Sequence, residues 1–245
     1  MSSASVWQEV EFGSYGADLP VWVELADEAG DPVAELGAGA GRVSLHLAGH
    51  GHEVVAVERD LDLIRELERV AEQRGVTLSI VTADLSSPGE VRFPAPPALV
   101  IGPLHVIQII PPEERPALLA RLQGQLAPGG TLALTVVDES TLLSVGAAST
   151  QILPDMRELD GWVYSSEPLW VQVGEGALTV RRLRESVSPE GHMERDIHDE
   201  VLYRVDPETL EREGTEAGLR PAGRRQIRSG ENEADSTVVL LEGPS

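Results

Sequence analysis

The run Pro32-Val33-Ala34-Glu35-Leu36-Gly37-Ala38-Gly39-Ala40-Gly41-Arg42 constrains the fold of this chain more than any other segment. A short apolar strand pattern ends in an acid. A glycine-rich loop follows, and a helix pattern begins directly behind it. Glycines let the backbone turn sharply and come close to a ligand, because no Cβ stands in the way. A helix start behind such a loop offers N–H groups that have no partner inside the helix. In an open α/β sheet this is where a nucleotide-like ligand binds, at the carboxyl end of the first strand.

The glycine spacing separates two cofactor classes. A dinucleotide fingerprint reads G-x-G-x-x-G. Here the spacing is G-x-G-x-G, and Arg42 stands where the last fingerprint glycine would fall. Glu35 would also repel a pyrophosphate, whereas it suits cationic groups such as an amino acid bearing a sulfonium. The string Glu35-Leu36-Gly37-Ala38-Gly39-Ala40-Gly41 resembles the first motif of class I S-adenosylmethionine (AdoMet)-dependent methyltransferases, of the type acting on small molecules. Further motifs follow in the family's order. His52 to Glu58 reads as a second strand ending in an acid, about twenty residues past the loop, where nucleotide-binding sheets place a carboxylate for ribose hydroxyls. Thr77 to Leu85 reads as a third strand ending in Asp84. Leu126-Ala127-Pro128-Gly129-Gly130 is similar to the family's turn into the fifth strand, a mark of fold rather than chemistry.

The resemblance covers residues 30–137 and implies AdoMet as cofactor. It sets Glu35, Gly37, Ala38 and Gly39 against the cofactor and makes Glu58 the ribose ligand, with Arg59 and Asp60 beside the adenine. It has Asp84 accept from the adenine amino group and Leu85 pack on the ring. Gly102, at the end of the fourth strand, joins the same set. Tyr15 reaches the cofactor carboxylate from an N-terminal lid or is an exposed loop tyrosine. Arg42 pairs with that carboxylate or is a helix-surface residue.

The chain alternates strand and helix patterns from residue 32. Strands are expected near 32–36, 53–58, 76–82, 97–101 and 131–137, and helices near 18–29, 41–49, 61–74, 104–110 and 113–126. The 61–74 pattern is the clearest, with Leu63, Ile64, Leu67, Val70 and Ala71 at helical spacing. Such alternation implies right-handed crossovers and a mostly parallel sheet. After residue 138 the rhythm changes to hairpins: 161–164, 168–173, 177–187 and 192–205, with turns at 174–176 and 188–191. Residues 140–149 read as helix or loop. Asp206-Pro207 starts a last helix, and strands near 221–229 and 235–242 complete the main sheet. The expected fold is α/β: a doubly wound, mostly parallel seven-stranded sheet with an antiparallel β insert before the last helix. The expected parts are a lid (1–30), an AdoMet-binding core (31–138), a substrate-side insert (139–205) and a C-terminal completion of the sheet (206–245).

Composition excludes several chemistries. The chain has no cysteine, which removes disulfides, cysteine–zinc sites, cysteine nucleophiles and radical AdoMet chemistry with its iron–sulfur cluster. A net charge of −22 opposes nucleic-acid binding, because a protein that grips phosphates needs a basic surface. No apolar run reaches the roughly 18 residues of a membrane span, and the first residues lack the basic start and apolar core of a secretory signal, so none is expected. The expectation is a cytoplasmic monomer or homodimer acting on a small molecule, with no nucleic acid and no membrane as partner.

Methyl transfer from a sulfonium needs chiefly the in-line placement of nucleophile, carbon and sulfur, so no catalytic triad is expected. A base helps when the acceptor must lose a proton. His105, just past the fourth strand, is the candidate; the other reading makes it a hydrogen-bonding wall residue. Asp138 and Glu139, past the fifth strand, are placed to meet an amine. Tyr164, Trp162 and Trp170 line a substrate pocket in the insert or belong to its core. The remaining histidines show no metal-ligand constellation: His46 and His50 lie one helical turn apart, but Leu47 stands where a metalloprotease helix needs Glu. Rival functions are a non-catalytic protein that keeps the AdoMet fold, and a nicotinamide oxidoreductase, which the glycine spacing disfavours.

Overall fold

Short, mainly apolar strands followed by amphipathic helices build the centre of the molecule. The computed structural model describes residues 2–137, 154–228 and 235–245. Along the chain these are α1 (Ser3–Phe12), α2 (Leu19–Ala29), β1 (Val33–Leu36), α3 (Arg42–Gly49), β2 (Val54–Glu58), α4 (Leu61–Arg74), β3 (Ser79–Thr82), a 3₁₀ turn (Pro88–Glu90), β4 (Leu99–Gly102), α5 (Arg115–Gln123) and β5 (Thr131–Val137). Then come β6 (Asp155–Leu159), β7 (Trp162–Val173), β8 (Ala177–Val187), β9 (Met193–Tyr203), α6 (Pro207–Glu216), β10 (Arg220–Ile227) and β11 (Ser236–Glu242).

The main sheet has the order β10-β11-β5-β4-β1-β2-β3. Strands β1 to β5 run parallel, while β11 is antiparallel to β5 and to β10. Every residue of β1 is buried, as a central parallel strand covered on both faces requires. Alternate residues serve opposite layers. Ala34 and Leu36 join a core with Leu118, Leu119 and Leu122 of α5 and Leu210 of α6. Val33 joins Trp22 and Leu25 of α2 and Val43 and Leu47 of α3. The strand order reverses at β1, so the crevice between the loops after β1 and β4 is the place for a ligand.

Local signals set the helix ends. Asp60 caps α4 by accepting from the N–H groups of Asp62 and Leu63, and Gly75 ends the helix at φ 65°. Asp206 caps α6 through Thr209 N–H, with Pro207 in the first turn. The insert is a second, antiparallel sheet of order β6-β7-β8-β9. Its first hairpin turns through Asp160-Gly161, both at positive φ (52° and 81°), which suits a tight two-residue connection. Helix α1 lies against this sheet, with Glu11 accepting from Ser166 Oγ at 2.6 Å and from Arg184 Nε at 2.8 Å.

Three sequence expectations are corrected. Residues 104–110 form successive turns, not a helix: Leu104 sits at φ 56°, outside the helical region, directly behind Pro103. The stretches 161–164 and 168–173 are one strand, interrupted by a bulge between Pro168 and Trp170. Helix α1 and strand β6 were not foreseen. The expected element at 140–149 lies outside the described residues.

One buried ion pair ties α5 to α6. Arg115, 2% exposed, donates to both carboxylate oxygens of Glu213 at 3.0 and 3.1 Å and to the Ile110 carbonyl at 3.3 Å. Removing one partner strands a buried charge. Glu213→Gln should therefore cost about 3 kcal/mol in denaturant unfolding, whereas the double change Arg115→Met/Glu213→Leu should recover most of that loss.

Candidate functional site

Two cavities meet at Gly37 on the carboxyl side of the main sheet. The larger, about 340 Å³, is bounded by Gln8 of α1, Tyr15, Glu35, Arg42 and the Pro103–Leu104 turn. The smaller, about 140 Å³, is bounded by Glu58, Arg59, Asp84, Leu85, Val106 and Ile109. Gly37 lines both.

The glycines are required by backbone shape and by close approach. Gly37, Gly39 and Gly41 all have positive φ (63°, 58° and 90°), which a side chain would strain. A Cβ on Gly41 would lie 2.1 Å from Leu67 Cδ1, so this glycine also seats the loop on α4. Glu58 then braces the loop. One carboxylate oxygen accepts from Gly39 N–H at 2.9 Å, and the other accepts from the N–H groups of Arg59 and Asp60 at 2.8 and 2.9 Å. The carboxylate thus stands at the mouth of the smaller cavity. Asp84 stands across it. Burial raises its affinity for a proton, but the Ser86 N–H and the Arg59 guanidinium outweigh that and hold the carboxyl below its usual range. Leu85 and Val106 supply apolar wall, and Ile109 is left 41% exposed beside them. Such a slot suits a flat heteroaromatic ring joined to a polyol.

The larger cavity is governed by charge. Glu35 is buried, and desolvation lifts its pKa to about 7 in spite of a hydrogen bond from Ser44 Oγ and the nearby Arg42 charge. Arg42 grips Asp18 with both guanidinium nitrogens at 2.6 and 2.7 Å and donates to the Tyr15 carbonyl at 3.0 Å. Asp18 also accepts from Trp22 Nε1 at 2.9 Å. Arg42 thus lines the cavity while its fork is paired with Asp18. Tyr15 lies in the wall, with the Arg42 guanidinium 5.2 Å from its ring centre.

His105 itself lines neither cavity; it sits behind Leu104 and beside Phe12, which line the larger one, and meets the insert. Its Nε2 is 2.8 Å from Glu200 Oε1 on β9, and its ring centre is 5.9 Å from that of Phe12 on α1. Burial alone would lower the imidazole pKa; the Glu200 charge and hydrogen bond outweigh it and raise it. The same pairing holds the Glu200 carboxyl far below its usual range against its own desolvation.

The other expected site residues fall elsewhere. Gly102 lines neither cavity; a Cβ there would meet Leu134 at 2.6 Å and Val106 at 2.8 Å, so its smallness serves packing. Trp170 is opposite Arg181 and Asp199, on the sheet face away from His105, with the Arg181 guanidinium 4.6 Å from its ring centre. That corrects its expected place in a pocket wall. Tyr164 shares the face of Glu200 but lies at the other end of the sheet, packed against Trp7 and Trp162. Asp138 lies outside the described residues. Sequence reasoning missed Gln8, whose Oε1 accepts from Ala40 N–H at 2.6 Å, and it missed Asp18, Phe12 and Glu200. Strand alternation was the available signal for Glu200; Gln8 carried none, because α1 itself was unforeseen.

Glu35 makes the ligand-free protein sensitive to pH. Its folded pKa, about 7, lies above the 4.5 of an unfolded chain. The native state therefore holds the proton more tightly, and the associated stability is full below 4.5 and lost as pH rises through 7. Glu35→Gln removes the buried charge but keeps a partner for Ser44. Without ligand this variant should be more stable than wild type at pH 8, by on the order of 2–3 kcal/mol, and equal to it near pH 4. Denaturation at the two pH values reads the difference.

Residues 33–130 match the family described as "Methyltransferase domain". A ribosomal RNA small subunit methyltransferase A from Anaeromyxobacter dehalogenans (strain 2CP-C) is 45% identical over 74 residues, which is 30% of this chain and 26% of that protein. The chain spans 26 to 43% of the length of the curated relatives it matches. An S-adenosylmethionine-dependent methyltransferase from Clostridium acetobutylicum superposes with a TM-score of 0.74 at 13% identity, covering 99% of this chain and 98% of that one. The sugar N-methyltransferase KedS8 from Streptoalloteichus superposes with a TM-score of 0.77 at 14% identity, covering 100% and 94%. Residues 33–130 match a methyltransferase domain, and the chain as a whole shares the fold of these S-adenosylmethionine-dependent methyltransferases.

Proposed function

We propose that this protein moves a methyl group from AdoMet to a nitrogen or oxygen atom of a small molecule, with His105 at the transfer centre. The observation that carries the reading is the His105–Glu200 pair, set where the turn after β4 meets the insert. The residues fit the cofactor. A Cβ at Gly39 would fall on the Gln8 amide, so this loop leaves room only for backbone. Glu58 and Asp84 line the smaller cavity and Glu35 the larger, carboxylates suited to a ribose, an adenine amino group and a cationic amino-acid end. AdoMet, when bound, supplies a methyl group on a positively charged sulfur. Glu58 accepts from ribose hydroxyls, Leu85 and Val106 cover the ring, and Glu35 ionises against the cationic end.

His105 then removes the acceptor's proton, and Glu200 holds the ring in place and steadies the imidazolium. Phe12 and the α1 helix exclude water from the same point. A small acceptor agrees with the surface. Arginines of the insert and of β10 are paired with the protein's own acids: Arg181 with Asp199, Arg182 and Arg184 with Glu11, Arg220 with Glu242, Arg224 with Glu208 and Glu211. No basic face is left among them for a phosphate backbone. An amine acceptor suits the acidic surroundings and the sugar N-methyltransferase among the structural neighbours.

Calorimetry tests the cofactor. AdoMet and S-adenosylhomocysteine should bind at one site per chain and NAD should not. Glu58→Ala should weaken AdoMet about 10- to 100-fold, since a hydrogen bond to a charged group contributes roughly 1.5–3 kcal/mol. Unchanged affinity would move the ribose elsewhere.

The base is tested by pH. Glu200 raises the His105 pKa, so the imidazole stays protonated past its ordinary range and the rate should rise with pH to an inflection above that range. Glu200→Gln should shift the inflection downward. His105→Gln should abolish it and lower turnover about 10²–10⁴-fold, with AdoMet affinity kept. A wild-type profile in His105→Gln would leave His105 a wall residue.

A further inference from the structure

A third cavity lies away from the transfer centre, between the start of α1 and the end of the insert. It is about 350 Å³ and is walled by Trp7, Trp162, Tyr164, Arg184, Glu194 and Asp196, among others. Glu194 is opposite Ser186, which is opposite Tyr164, and Asp196 is opposite Arg184. All therefore belong to the sheet face that also carries Glu200. Glu194 is six residues before Glu200 on β9, which at about 3.3 Å per residue puts it roughly 20 Å from the His105 pair. A ligand atom in this cavity is not at the methyl-transfer point.

The wall has the chemistry of a cation receptor. Tyr164 meets Trp7 edge-on, at 5.6 Å between ring centres and 87°, and stacks on Trp162 at 6.2 Å and 18°. All three rings are only half-buried, so the fold leaves an aromatic surface facing the cavity. The protein already sets a cation on this cluster: the Arg184 guanidinium stands 5.2 Å from the Trp7 ring centre. That charge does not neutralise the cavity, because Arg184 is held by both oxygens of Glu11 at 2.8 Å each. Arg195 also borders the cavity, but its guanidinium is drawn to Glu185 at 2.5 Å, on the sheet face opposite Glu194 and Asp196. Glu194 and Asp196, both exposed, are left to set the sign of the field. Aromatic faces attract an ammonium through their quadrupoles, and carboxylates at the rim add charge.

We propose that this cavity is a second binding site, specific for an organic ammonium ion with apolar substituents and separate from the AdoMet and transfer sites. The arrangement selects a cation by charge and an alkylated one by the rings, whose faces take up methyl or methylene groups that a bare ammonium lacks. The assignment stands whether or not His105 is a base.

Choline and its neutral isostere 3,3-dimethylbutan-1-ol are the probes, and intrinsic tryptophan emission is the readout. The protein carries Trp170→Phe to silence the ring on the outer face; Trp22 is wholly buried in the core. Choline should change the emission saturably, and the neutral alcohol should bind at least roughly tenfold more weakly. The double variant Glu194→Gln/Asp196→Asn should lose roughly tenfold in choline affinity, as should Tyr164→Leu. Saturating S-adenosylhomocysteine should leave choline binding unchanged. Both acids are exposed and form no ion pair among the described residues, so the double variant should melt as wild type does. The proposal is overturned by any one of four results: no saturable change with choline, equal binding of the alcohol, full choline affinity in the double variant, or displacement of choline by S-adenosylhomocysteine.

Discussion

The site depends on one short helix held from both sides. Glu11 of α1 is nearly buried, and its carboxylate takes both nitrogens of the Arg184 fork at 2.8 Å, Ser166 Oγ at 2.6 Å and the Arg182 guanidinium at 3.5 Å. A carboxylate removed from water is costly unless it is paired in this way, and a bidentate arginine fixes direction as well as energy. On its other side α1 extends Gln8 to the glycine loop at Ala40. Between those two anchors the helix spans the gap from insert to main sheet. Phe12 reaches His105 from the end of the same helix. The loop, the imidazole and the insert therefore keep one geometry because α1 is bonded to two of them and touches the third.

Charge follows from the same geometry. In an acidic chain an extra buried carboxylate is not cheap, and Glu35 shows the cost in its raised pKa. The structure offsets a neighbouring carboxylate differently: Asp18 is compensated fully by Arg42 and Trp22. Glu35 receives only the hydroxyl and N–H of Ser44 and the charge of an arginine already committed to Asp18. A buried acid left with so little is destabilising alone and stabilised by any cation that arrives beside it, which is how binding sites differ from structural ion pairs. Glu200 is the reverse case, ionised because His105 is there.

Much of this was legible in the sequence where local chemistry decides. The glycine loop, the acids closing β1, β2 and the third strand pattern, and the capped α4 all rest on spacing within a few residues. So do the turns of the insert, and they fall where expected. What failed rests on distant partners. Helix α1 is only weakly amphipathic and is fixed by Arg182 and Arg184, more than 170 residues away along the chain. The apolar run after Pro103 reads as a helix by period, yet Leu104 takes a left-handed backbone that brings His105 to the insert. Arg42 was placed correctly beside the cavity, but its Asp18 partner precedes it by 24 residues and no motif links them.

The misplacement of Trp170 has a single physical cause. Alternation along an uninterrupted β7 would put Tyr164, Ser166, Pro168 and Trp170 on one face, because side chains repeat every two residues. Trp170 would then stand opposite Val180 and beside Glu200. Instead the register steps at Leu169: Pro168 is opposite Arg182, and Trp170 is opposite Arg181. Proline has no N–H for the ladder, and bulges are where sheets accommodate it. One extra residue turns the following side chains over. Trp170 moves to the outer face under Arg181, and Val171 takes the inner position opposite Val180 and hence in line with Glu200. A small aliphatic side chain therefore lies where an indole would otherwise crowd the His105 pair, and the aromatic cluster is confined to the far end of the sheet.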